Sequence, residues 1–157
     1  MQARHILTAV MLLLCARPAA AQVQQVVTFQ VDAINQIAFS GNPSLVITSA
    51  TAGSAPSTAT APATWAVTTN QSNAKITASI NAAMPALVTL TVNLAAPTGA
   101  TSTGAQSLGT VAVDVVTGIT QVAQGSLAVI YALSATATAG VVASTTRTVT
   151  YTITGGT

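Results

Sequence analysis

Histidine, cysteine and glutamate are almost missing from this chain of 157 residues: one His, one Cys and no Glu. His5 and Cys15 both lie in an N-terminal stretch that reads as an export signal. Arg4 and His5 precede an apolar run over residues 6–15, followed by Pro18 and the triplet Ala19, Ala20, Ala21. That run is too short to span a bilayer as a helix, and a small-residue site follows it at the spacing a signal peptidase requires. We therefore expect a signal peptide over 1–21, cleavage before Gln22, and a domain over 22–157 without a stable membrane anchor. Leu14 stands where a lipoprotein signal needs a small residue, so Cys15 reads as part of the apolar run. The expected location is secreted, extracellular or on a bacterial cell surface, with the periplasm in transit.

Charge is nearly as scarce, at 4% of residues. The formal net charge of +2 comes from Arg4 and Arg17 in the signal; beyond it Lys75 and Arg147 balance Asp32 and Asp114. A neutral chain has no electrostatic hold on nucleic acid or on an acidic membrane. Without His or Cys, residues 22–157 cannot build a His-based triad, a thiol nucleophile or a Cys/His metal centre. No catalytic residue, cofactor or metal is expected, and no hydrolytic or redox activity. Two carboxylates are too few for a typical calcium site. Asp32 and Asp114 lack the Gly-bearing turns of aspartic dyads and read as solvated carboxylates. Ser72 and Lys75 match a Ser-x-x-Lys pair, but that pair works on one helical turn and these residues fall in a turn between strands. Lys75 reads instead as a residue keeping a strand edge soluble.

Aromatics are only 3% of residues, while hydrophobic residues reach 50%. Val, Ile and Leu in that amount argue against disorder, and β-branched residues suit a pleated, half-buried surface. The apolar residues recur with period two. In residues 23–39, Val27, Phe29, Val31, Ala33, Ile37 and Phe39 share one parity, which predicts a long opening strand. A short strand is expected over 44–50 with Leu45 and Ile47 on one face, then an exposed loop over 51–63. Trp65 and Val67, a turn at Gln71, Ser72 and Asn73, then Ile76, Ala78 and Ile80 predict a hairpin. Val88, Leu90, Val92 and Leu94 define a further strand, and Val111, Val113 and Val115 another that ends in a turn at Thr117 and Gly118. Leu127, Val129, Tyr131 and Leu133 define the next, and Val149, Tyr151 and Ile153, alternating with threonines, close the chain. Residues 34–38, 81–84 and 119–123 have room for no more than a helical turn.

Seven or eight short strands between Gly, Pro and Asn turns predict a single antiparallel, immunoglobulin-like β-sandwich, with a closed β-barrel as the alternative. The order of an alternating first strand, a Trp65-bearing hairpin, a loop rich in Pro, Thr and Gly and a closing strand over 147–154 resembles small exported bacterial surface proteins. Pilin-like and fibre or matrix subunits are among them. Two features differ from many chaperone-assembled pilins: no cysteine pair is present, and Tyr151 is not penultimate. The resemblance implies a structural or adhesive role and self-association into a filament or matrix.

The residues themselves point the same way, since an uncharged surface of Thr, Ser, Asn and Gln does not repel a second copy. Val27, Phe29, Val31 and Ala33 form the candidate donor strand, the piece most easily lent to a neighbour. The competing reading is a monomeric exported binding module for a carbohydrate or protein ligand. Trp65 is then the one strong platform, although its alternating strand favours a core position.

Overall fold

The computed structural model describes residues 21–156, so the expected signal peptide lies outside the described residues except for Ala21. The chain divides into two units, Met1–Val31 and Asp32–Thr157. In the first, residues 21–31 form no strand and every one is exposed. The opening strand predicted over 23–39 is therefore shorter than its alternation: β1 is Asn35–Ser40.

The other strands are β2 (Ala59–Thr69), β3 (Ala74–Ile80), β4 (Val88–Leu94), β5 (Thr101–Ser102), β6 (Gln106–Ser107), β7 (Val113–Ile119), β8 (Val122–Ala135) and β9 (Val149–Thr154). They form two antiparallel sheets, ordered β1-β2-β8-β4-β6 and β5-β7-β3-β9. No strand is shared and neither sheet closes on itself, so the architecture is a β-sandwich and not a barrel. Seven strands have six residues or more, as the alternation implied. Their order departs from the immunoglobulin constant arrangement, because the fifth and sixth long strands, β7 and β8, exchange sheets. Among the described residues the sole helical element is a single 3-10 turn, Ala137–Ala139, and no helix is long and apolar enough to cross a membrane.

Trp65, Val67, Ile76, Ile80, Val92, Leu94, Val115, Ile119, Leu127 and Val129 fill the space between the sheets. Most are the alternating residues of their strands, because period two aims every second side chain at one face. Bulges shift that parity twice. Val115 and Val116 are both buried, with register shifts between β3 and β7 on either side of Ile76. Gly118, at φ 72°, sits inside β7 where a turn was predicted, and Val111, expected inward, is 78% exposed. A glycine within a strand often marks a bulge, and this one lets one strand gain a residue on its partner. In β8 the register against β2 slips between Trp65 and Val67 near Ser126, at φ 57°. Leu127, Val129 and Tyr131 face inward beyond it.

The hairpin predicted around Trp65 is an arch. β2 pairs with β1 and β8, while β3 lies in the other sheet between β7 and β9. Alternation reports which face of a strand is dry, and an arch buries the same residues as a hairpin would. The loop predicted over 51–63 ends early, since residues 59–63 already pair with β8. Pro62 is tolerated there because β1 pairs only with 64–69, leaving the proline an open side where no N–H is needed. Residues 44–48 are not a strand, yet Leu45 and Ile47 are half-buried between exposed neighbours. Lys75 also departs from expectation: β3 is an inner strand, and the ammonium meets Asp114 on β7 at 3.0 Å. Both side chains are nearly half exposed, so the pair contributes at most about 1 kcal/mol.

Candidate assembly surface

Val27, Phe29 and Val31 are 73%, 89% and 77% exposed, although their spacing is that of side chains filling a core. Three large apolar residues on one parity and outside any sheet present a face that water disfavours by about 1.5–3 kcal/mol per residue. Val23 and Val26 are exposed as well. Ala33, the fourth candidate donor residue, differs from these three. It lies between residues held by Asn70, whose Nδ2 donates to the Asp32 carbonyl at 2.8 Å and whose Oδ1 accepts from the Ile34 N–H at 2.8 Å.

The flanks of the sandwich are unequal. On one, the short strands β5 and β6 carry the chain from the outer edge of one sheet to that of the other, and Leu108 behind them is buried. The other flank is formed by the outer edges of β1 and β9, and no residue of either strand is fully buried. Ile37 and Phe39 on β1, and Val149, Tyr151 and Ile153 on β9, pack against the core but remain partly open. Phe39 stacks on Tyr151 with centroids 3.8 Å apart and on Trp65 at 5.9 Å. Asn35, at the start of β1, is engaged by Thr69, whose hydroxyl donates to Oδ1 at 2.7 Å and accepts from the Gln71 N–H.

Behind this flank the Tyr131 and Tyr151 hydroxyls share a hydrogen bond of 2.8 Å that joins β8 of one sheet to β9 of the other. Burial pushes both phenols above their usual range; the shared bond partly offsets this at Tyr131 and adds to it at Tyr151. The folded state thus holds these protons more tightly than the unfolded chain, where a phenol titrates near pH 10. The pair's contribution is complete below about pH 10 and is lost as pH rises toward the higher folded-state values. Melting temperature should fall above about pH 10, and the double variant Tyr131→Phe/Tyr151→Phe should show a smaller fall in the same alkaline titration.

The residues singled out for chemistry do not converge. Asp114 lies on β7 of one sheet, and Asp32 precedes β1 of the other. Ser72 sits in the arch and Lys75 on β3, engaged with Asp114. Among the described residues no group of three His, Cys, Asp or Glu side chains gathers. Trp65 is 2% exposed, so its ring has no open face for a sugar, and its buried Nε1 has no hydrogen-bond partner. Arg147 holds the Ala83 carbonyl through Nε and Nη2, at 3.1 and 2.8 Å, a role in tethering a loop. Two open depressions, one beside Asn93, Ser102 and Ile130, the other beside Ile34, Thr69 and Val122, are lined by no charged side chain. The β1/β9 flank was not legible as a site, because alternation does not say which strands end up at an edge. Comparison with protein families, with curated proteins and with solved structures finds no match to this chain.

Proposed function

We propose that this is a non-enzymatic structural or adhesive protein of the bacterial exterior, a fibre or matrix subunit. It joins copies of itself by lending the segment over 23–31 to a neighbour. The supporting observation is the apolar face of Val27, Phe29 and Val31, exposed in a stretch that belongs to no sheet. Strand addition would place the segment in a sheet, with main-chain hydrogen bonds from the receiving edge and an apolar surface for its alternate side chains. Because the donor and the receiving surface lie on different parts of the chain, the contact is heterologous, and repetition gives an open filament unless a ring closes. The low charge favours this reading, since edges without Lys, Arg, Asp or Glu lack the charged guards against pairing.

The test compares the chain from Gln22 with one lacking residues 22–31. The longer chain should form filaments or large oligomers by electron microscopy and light scattering. The shorter should remain a folded monomer, since Asp32–Thr157 carries every strand among the described residues. A longer chain that stays monomeric at all concentrations tested would overturn the reading.

A further inference from the structure

We propose that the flank between β1 and β9 is the receiving site, and that residues 23–31 of a second copy add as a strand to the outer edge of β9. This rests on the assembly reading above and identifies where the contact is made.

The backbone groups already bonded to β3 fix which groups of β9 are open. The Asn81 N–H donates to the Thr148 carbonyl at 3.1 Å, and the Thr148 N–H donates to Asn81 Oδ1 at 3.0 Å. With Ile80 opposite Val149 in the register, Asn81 and Thr148 form a hydrogen-bonded antiparallel pair. Such pairs recur at every second residue, so Thr150, Thr152 and Thr154 direct their backbone groups to β3. The N–H and C=O groups of Val149, Tyr151 and Ile153 consequently point to the outer edge. On β1, the bond from the Asn70 N–H to the Ile34 carbonyl sets the same phase and turns the backbone groups of Asn35, Ile37 and Phe39 outward.

On β9 the residues with open backbone groups are also those whose side chains face the core and are half-buried. A guest strand bonded there places its own side chains, every second one, on the same inner face. Val149, Tyr151 and Ile153 then match Val27, Phe29 and Val31 in number, spacing and apolar character. β1 matches less well, since Asn35 takes the third inward position and is occupied by Thr69. β9 also has no charged residue, no proline and no bulge in its register with β3, so the strand itself carries none of these guards against edge pairing. All neighbouring strands in both sheets are antiparallel, and an antiparallel guest with Phe29 opposite Tyr151 sets Thr28 opposite Thr152 on the solvent face.

The chain from Gln22 has no cysteine of its own, which makes disulfide trapping clean. Thr28→Cys is combined in one chain with Thr150→Cys, Thr152→Cys or Thr154→Cys, and in a second set with Gln36→Cys or Ala38→Cys on β1. All of these positions are exposed. Light scattering before oxidation reports whether copies assemble, and gels after oxidation report where they touch. Assembly with a ladder of cross-linked species from the β9 set, strongest with Thr152→Cys, is the expected result. Assembly with a ladder only from the β1 set, or with no cross-link at all, overturns the receiving site while the proposed function stands. A disulfide that forms within single chains overturns the second copy as occupant. Absence of assembly overturns both.

Discussion

Phe29→Asp should abolish assembly while leaving the fold of the individual chain unchanged. Phe29 is 89% exposed, so in the isolated chain the substitution removes no packing. In the proposed assembly the same position faces the core side of a neighbour, where the loss of a phenylalanine would remove about 1.5–3 kcal/mol of apolar burial. An unpaired carboxylate adds a desolvation penalty of several kcal/mol. Together these exceed about 4 kcal/mol per junction, or roughly a thousandfold in affinity at 1.4 kcal/mol per tenfold. The concentration at which light scattering first detects oligomers should rise by that factor, with the melting temperature of the monomer unaltered. Phe29→Leu, which keeps the apolar character, should assemble. Assembly of Phe29→Asp at the original concentration would show that the segment is not inserted.

Trp65→Ala should have the largest effect on stability, lowering it by about 3–5 kcal/mol. Trp65 is 2% exposed, in the middle of β2, and is stacked on Phe39. Its removal leaves a cavity between two sheets held apart by their own pairing, so collapse around the gap is limited. Against a typical domain stability of about 5–15 kcal/mol the loss brings the variant close to unfolding. Trp65→Phe should cost less, because it retains a ring and removes the Nε1–H, which is buried without a partner. Trp65 is the sole tryptophan, so urea midpoints should be followed by circular dichroism and not by fluorescence. A loss below about 1 kcal/mol for Trp65→Ala would place the tryptophan outside the load of the core.

Much of the sandwich was legible because period-two alternation is a local property. Leu90, Val92 and Leu94, or Leu127, Val129 and Tyr131, face the core as their parity requires, and they are the buried residues of β4 and β8. Where a bend or a bulge intervenes, local parity misleads. Val111 shares the phase of Val113 and Val115 but is exposed, because it lies in a bend before β7 begins at Val113, and at the other end Gly118 continues the strand where its residue type predicts a turn. The opening stretch misled in another way. Residues 23–39 alternate almost throughout, yet only Asn35–Ser40 pairs, since alternation states that a strand has a dry face and not whose core supplies it.

The sequence by itself determined the all-β class and which ionisable side chains residues 22–157 contain. Residues 22–157 hold two acids, two bases and no His or Cys, and no arrangement of the chain can create those missing groups. It also determined that Val27, Phe29 and Val31 share one face. Only the tertiary structure decided that this face is left exposed and that β1 and β9 are edges. It alone showed that the residues around Asn70 form an arch and not a hairpin. The physical reason is that strand pairing is made between residues far apart in the chain, as when Lys75 meets Thr154 and Thr69 meets Val122. Backbone hydrogen bonds are the same for every residue except proline, so the side-chain pattern does not name the partner.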